Sequence, residues 1–300
     1  MLKKTCFFVI ISFVFILPLL KRERGFSIRK ITSRHSYDPR WDVCWPDKQK
    51  KNFLNSLFQQ KFYYIGSGNH CYAFASEDEK YVIKFFKQKH MKYLNWRDFL
   101  PFPEHLNKIN LQDKQKRKKL REKTFRSYKY AYELLPKETG TVFLHLTPTD
   151  NLHQQAFIKG PNGQNYRIDL DRMEFVIQKK AKVGFEYLNQ LFAGQEKSLA
   201  FDAIESLLSV ISARCHNGLF DRDMQIFKNF GFIENNALEI DIGEFYYSTN
   251  EYAPSPEKEI EHVGWQIGNW LEKNYPKYLE EYQEMLKTLI NNVNINENPI

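Results

Sequence analysis

Gly66-Ser67-Gly68 lies among β-prone residues, and 16 residues beyond Gly68 a strand-like run carries Lys84 in the order Val82-Ile83-Lys84. Glycines let backbone N–H groups approach phosphate oxygens with no Cβ in the way. A lysine between Ile83 and Phe85, projecting to the opposite face of the strand from both, brings a positive charge to the same phosphates. Far downstream, Asp221-Arg222-Asp223 precedes Asn229, and Asp241-Ile242-Gly243 follows Asn229 by 12 residues. In such a set one aspartate can orient and deprotonate an acceptor hydroxyl. An asparagine and a second aspartate, brought together by two short strands and a turn, can hold Mg²⁺ on nucleotide phosphates.

Taken singly, each of these residues has an ordinary use: a G-x-G tripeptide is most often a turn, an aspartate before a turn is a cap, and Asn229 can simply start a strand. In this order and with these intervening elements, the set resembles the protein-kinase-like superfamily. GSGNHCYAF is similar to the glycine-rich loop, VIK to the strand that carries the phosphate lysine, DRD to the H-R-D catalytic loop, and Asp241-Ile242-Gly243 to D-F-G. The resemblance covers about residues 47–292 and implies an α+β, bilobal protein-kinase-like fold, with a strand-rich N-lobe and a mostly helical C-lobe. It further implies ATP and Mg²⁺ as cofactors and Gly66, Ser67, Gly68 and Lys84 as nucleotide-binding residues. Asp223 becomes the catalytic base, with Asp221 as the alternative functional acid, and Asn229 and Asp241 become the metal ligands.

The pattern departs from the family in several places. Asp221 stands where the family has histidine, Ile242 replaces phenylalanine, and His70 or Cys71 occupies the region of the third loop glycine. Asp223 and Asn229 are six residues apart, one more than in H-R-D-x-x-x-x-N. The run Tyr252-Ala253-Pro254-Ser255-Pro256-Glu257 is a loose echo of A-P-E only 16 residues after Asp241, so the activation segment is short. For the helix glutamate that pairs with the strand lysine, Glu122 and Glu133 both qualify, 11 residues apart on one face.

These residues need elements to position them. Phe53, Leu54, Leu57 and Phe58 within Asp47–Gln60 give one helix face, and KFYYIGSGNHCYAFAS and KYVIKFFK read as a hairpin around the turn EDE, with a glycine-containing loop inside or just after its first strand. Residues 111–135 read as a long helix, basic from Lys114 to Lys123. Four strand-like runs follow over 140–181; GPNGQ joins the second to the third, and Phe175–Ala181 connects to the second half. That half is helical: a helix around GFEYLNQLF, another over Ser198–His216 with Leu199, Ala203, Leu207 and Ile211 on one stripe and Gly218 to stop it, and two more over 257–274 and 276–292. A hairpin with its turn at Asn235-Asn236 interrupts them. The expected organisation is an N-lobe over 47–180 and a C-lobe over 181–300.

Ahead of these lie an apolar segment over 1–24 and a basic linker over 25–46 with little core of its own. The run Cys6–Leu20 is too short for a comfortable helical span yet too apolar for water, and no small-x-small pair follows it. The flank from Lys21 to Arg34 is strongly basic, which favours an uncleaved N-terminal membrane anchor with the catalytic domain on the cytosolic side; secretion after signal cleavage is the alternative. The whole-chain charge of +8 follows this division: residues 1–40 hold nine Lys/Arg and two Asp/Glu, leaving 35 and 34 over the remainder. A near-neutral body argues against a protein built to track nucleic acid, as does the lack of aromatics between the basic residues of 114–123. Four cysteines give no disulfide framework, and the His70-Cys71 and Cys215-His216 pairs lack the spaced partners of a zinc site. Two functions remain in view: a membrane-anchored phosphotransferase acting on a protein or small hydroxylated molecule, and a catalytically silent kinase-like binding module.

Overall fold

The computed structural model describes residues 26–43, 47–91, 104–248 and 254–297. The apolar run 6–20, the first residues of its basic flank at 21–25, and Tyr252-Ala253 of the A-P-E echo lie outside them. Among the described residues, no helix is long and apolar enough to cross a membrane.

Helix α1 (Lys48–Phe58) begins where the Asp47 side chain accepts a hydrogen bond from Lys50 N at 2.8 Å, and it buries Leu54, Leu57 and Phe58. Of the two positions expected for the glycine-containing loop, it takes the one inside the first run, so the segment folds as three strands, β1 (Lys61–Ser67), β2 (Cys71–Ser76) and β3 (Tyr81–Phe86). The extra turn falls at the glycine loop, where Gly68 N–H closes on the Cys71 carbonyl at 3.1 Å. A bulge between Tyr64 and Gly66 bends β1 just before it. Next come α2 (Gln88–Met91), the long α3 (Glu104–Leu134), β4 (Thr141–His145), β5 (Gln155–Lys159), β6 (Asn165–Asp169) and β7 (Phe175–Lys179). The β5–β6 turn is the one read from GPNGQ, with Gly163 at φ +78.

These seven strands form one sheet in the order β4-β7-β3-β2-β1-β5-β6, which places β3 inside, between β7 and β2. Alternation along β3 sends Ile83 and Phe85 to one face, into a core with Phe62, Phe74, Phe175 and the residues of α1. Phe86 goes to the other face, where Phe125, Tyr128 and Ala131 of α3 cover the sheet. Lys84 belongs to that second face.

Beyond Lys180 and Ala181 the chain builds β8 (Lys182–Val183), α4 (Gly184–Ala193), α5 (Lys197–His216), β9 (Leu219–Asp221), α6 (Ile226–Asn229), β10 (Phe230–Ile233), β11 (Asn236–Glu239), β12 (Phe245–Tyr247), α7 (Pro256–Asn274) and α8 (Leu279–Glu297). This half has its own core, in which Leu188, Leu207, Ile211, Ile267, Leu271 and Tyr282 meet. Of the stripe read on α5, Ala203, Leu207 and Ile211 are buried, whereas Leu199 in the first turn is exposed. Gly218 ends the helix at φ +70, and a Cβ there would stand 2.9 Å from the Tyr247 ring. The β10–β11 turn sits one residue earlier than expected, with Glu234 in the left-handed region.

The segment read as a linker with little core is different in the structure. Phe26 packs edge-on against Tyr72, Phe74 and Tyr166, Ile31 is fully buried, and Thr32 bridges to Met173. Trp41 is buried edge-on against Phe125 of α3 at 5.5 Å. A few large apolar residues in a polar stretch give no periodicity, so their burial depends on the groove that the sheet and α3 provide. Trp41→Ala is expected to lower stability by about 3 kcal/mol, read from the denaturation midpoint; an unchanged midpoint would mean that 26–43 carries no core.

Candidate active site

Where the α3-covered face of the sheet meets the helical half, a cavity of about 350 Å³ opens. Gly68, Lys84, Asp223 and Asp241 line it, together with His70, Tyr128, Arg222, Lys228 and Glu244. A larger opening of about 500 Å³, lined in part by Lys137, Glu138, Ser206 and Ser209, brings none of these acids together.

Lys84 reaches across from β3 and donates a hydrogen bond to the Ile240 carbonyl at 2.6 Å. Burial pushes its pKa down and the neighbouring Asp241 carboxylate opposes that shift, so the ammonium is held by its counter-charge. Ile240 N and Asp241 N both donate to the Asn229 carbonyl, at 2.6 and 3.2 Å, and Asn229 Nδ2 donates to the Asp223 carbonyl at 2.6 Å. Asn229 is therefore buried against the cavity instead of lining it, and it joins the two aspartate-bearing segments at one point. It closes the one-turn helix α6, which takes up the extra residue between Asp223 and Asn229. The side chains of Asp223 and Asp241 stay open to solvent.

Asp221 does not reach the cavity. It is buried on β9, pairs with Phe245 of β12, and its Oδ1 accepts from Asp223 N at 3.0 Å, so it sets the backbone of the residue that does. Gly66 and Ser67 end β1 outside the cavity, and only Gly68 lines it. Lys87 Nζ holds this loop, donating to Ser67 Oγ at 2.6 Å and to the Gly68 carbonyl. A Cβ at Gly66 or Gly68 would meet nothing within 4 Å, so these glycines leave open space instead of accommodating a protein neighbour.

Neither glutamate expected to pair with Lys84 does so. Glu122 lies 3.5 Å from Arg40 and Glu133 lies 3.8 Å from Lys129. The buried face of α3 carries Arg121, Thr124, Phe125, Ser127, Tyr128 and Ala131, and both glutamates fall off it. Tyr128 takes the place facing the cavity, its hydroxyl sharing a hydrogen bond with Cys71 Sγ at 3.7 Å. Burial raises the Tyr128 pKa well above its ordinary value and pushes the Cys71 thiol up to about 12, so both remain neutral donors. Next to Tyr128, Ser127 Oγ donates to the Ile242 carbonyl at 2.5 Å and accepts from Phe245 N at 2.7 Å, fixing α3 to both sides of Gly243.

The residues missed in the sequence adjoin the motifs. Arg222 is the centre of DRD, its guanidinium over the Tyr246 ring at 4.2 Å, and Lys228 precedes Asn229. Glu244 follows Gly243, pairs with Lys123, and lies 3.9 Å from His70 Nε2. A charged neighbour of a motif was the only available signal. In all, Lys84, Arg222 and Lys228 face Asp223, Asp241 and Glu244, a balance suited to an anionic ligand carrying a divalent cation.

Lys84 uses one of its three donors on Ile240, and the loop beside it has room for a ligand. No cluster of three or more His, Cys, Asp or Glu that could enclose a metal occurs among the described residues. Mg²⁺ on a nucleotide needs only one or two carboxylates besides phosphate and water, so Asp241, with Asn229 hydrogen-bonded beside it, fits that donor set.

Behind the cavity, Arg214 of α5 lies 3.1 Å from Glu239 and 2.9 Å from Glu259, all three buried. Burial raises Glu239 and Glu259 above the ordinary carboxyl range against the pull of Arg214.

No family model matches the sequence, and no curated protein matches it. Among solved structures, the chain is similar to one described as the bifunctional kinase-methyltransferase WbdD, at 15% identity and a TM-score of 0.32. The alignment covers 77% of this chain and 43% of that one, so the chain spans less than half the length of the structure it matches.

Burial pushes the Asp221 carboxyl from 3.8 up to about 7, with Arg214 opposing. A carboxyl that binds its proton more tightly when folded contributes stability at low pH and loses it as pH rises through the folded value. Between about pH 4 and 7 the contribution of Asp221 to stability is therefore expected to fall, so that Asp221→Asn gains relative to the parent as pH rises in denaturant midpoints; parallel curves for the two proteins would place the titration elsewhere.

Proposed function

We propose that this chain is a kinase-like, Mg-ATP-dependent phosphotransferase with a bilobal fold. It is held at a membrane by the apolar run 6–20 and the basic flank 21–34, and its acceptor is a protein or a small hydroxylated molecule. The observation that carries the reading is the meeting of Gly68, Lys84, Asp223 and Asp241, from four separate segments, in one cavity, with Asn229 hydrogen-bonded to the last two segments. Lys84 on the third strand and an acid-bearing loop from the helical half are the parts that phosphoryl transfer requires.

Bound Mg-ATP supplies the activated phosphoryl group and the metal charge that offsets its oxygens. Lys84 would turn its remaining donors to phosphate oxygens and Asp241 would hold the metal, while Asn229, behind the cavity, fixes the segments that carry Asp223 and Asp241. Asp223, exposed at the mouth with its backbone fixed by Asp221 and Asn229, accepts the proton of the acceptor hydroxyl. Arg222 and Lys228 add positive charge where negative charge develops. The basic flank supports an anchor whose catalytic domain faces the cytosol, where ATP is available.

One observation favours the second reading, a nucleotide-binding module without turnover: Tyr128 faces the cavity on the helix where a glutamate was expected to meet Lys84. Transfer of labelled γ-phosphate, or its release to water, separates the two. Turnover by the full chain, lowered about 10²-fold or more by Asp223→Ala and lost in Asp241→Asn, supports the enzyme. Thermal stabilisation by Mg-ATP without turnover, or no nucleotide effect at all, overturns the enzyme and supports the silent binding module.

A further inference from the structure

From residue 107 to 120, about four turns and roughly 21 Å of α3, no residue is buried; burial begins at Arg121. This stretch holds Lys108, Lys114, Lys116, Arg117, Lys118 and Lys119 against one acid, Asp113. Like charges three and four residues apart on a helix repel, as Lys114 with Lys118 and Lys116 with Lys119 do here. A helix that is polar all round gains nothing from a core. An anionic surface laid along the stretch would relieve that repulsion.

Three observations say what kind of surface. Ile109 and Leu111, 53% and 56% exposed, stand among the exposed lysines, the mixture of basic and aliphatic side chains that settles into a headgroup layer. No aromatic residue lies within 107–120 to stack on bases. The base of the stretch is also where the N-terminal segment packs: Arg121 is 3.6 Å from Glu174, which accepts from Ser33 Oγ at 2.7 Å, and Arg40 reaches Glu122.

We infer that residues 107–120 of α3 are a second membrane contact, which rests Lys108, Lys116, Lys118 and Lys119 on anionic phospholipid headgroups beside the N-terminal anchor. Together the two contacts hold the sheet half against the bilayer and orient the cavity mouth relative to it. The inference uses the membrane placement proposed above but does not depend on phosphotransfer.

The test is lysine acylation footprinting of the full chain, read by mass spectrometry, with vesicles of phosphatidylcholine alone and vesicles that also contain phosphatidylglycerol. Flotation with either vesicle reports on the anchor separately. The expected result is several-fold protection of Lys116, Lys118 and Lys119 on the anionic vesicles only, reversed by high salt, with the exposed Lys258 unchanged. Replacing Lys108, Lys116, Lys118 and Lys119 by glutamate is expected to weaken the salt-sensitive binding to anionic vesicles several-fold, the basic flank 21–34 supplying the remainder, and to leave flotation with neutral vesicles intact. Equal labelling on both vesicles overturns the inference, as does protection by RNA or polyglutamate in place of lipid.

Discussion

The ammonium of Lys84 bridges the two halves of the molecule, and the site depends on that contact. It leaves an interior strand of the sheet and ends on the Ile240 carbonyl of the helical half. The hydrogen bonds continue from Ile240 and Asp241 to Asn229 and from Asn229 to Asp223. One short relay therefore links the sheet, Asp241 and Asp223. Desolvation works against the charge on Lys84, and the solvent-exposed Asp241 carboxylate beside it opposes that shift.

Helix α3 makes the relay a property of the whole sheet half. At one end of its buried face, Ser127 grips the backbone on both sides of Gly243 and Tyr128 stands in the cavity. At the other end, Arg121 meets the buried Glu174, which also accepts from Ser33 and Gln88, while Trp41 packs on Phe125. The segment that follows the apolar N-terminal run thus packs on the helix that holds the Asp241–Gly243 loop. On the opposite side, the Arg214 cluster fixes Glu239, two residues before Asp241, to α5 and α7. The cavity acids are held from both sides.

Much of this was legible from residues alone. Period-2 alternation placed Lys84 opposite Ile83 and Phe85, the 12-residue return from Asn229 to Asp241 specified a hairpin, and the GPNGQ turn and the α5 stripe read correctly except for Leu199. Other features lacked a local signal. The glycine loop could fall inside or just after the first strand, and the Gly68 N–H bond to the Cys71 carbonyl that decides it depends on neither composition nor period. Glu122 and Glu133 share a helix face, but not the buried one, and which face is buried depends on the sheet beneath.

The sequence by itself determined the chemistry available and its order: a glycine loop, a strand lysine, three aspartates and an asparagine, each next to an element with a strong local period. Only the tertiary structure decided which of them share a cavity. It drew in Gly68, Lys84, Asp223 and Asp241, set Asn229 and Asp221 behind them as positioning residues, and left Gly66 and Ser67 on the strand edge. It also buried Phe26, Ile31 and Trp41 of the polar, basic stretch 26–43. The physical reason is the same in each case: hydrogen-bond periods and side-chain alternation are written locally, whereas burial is set by the partner surface, which comes from residues far away in the chain.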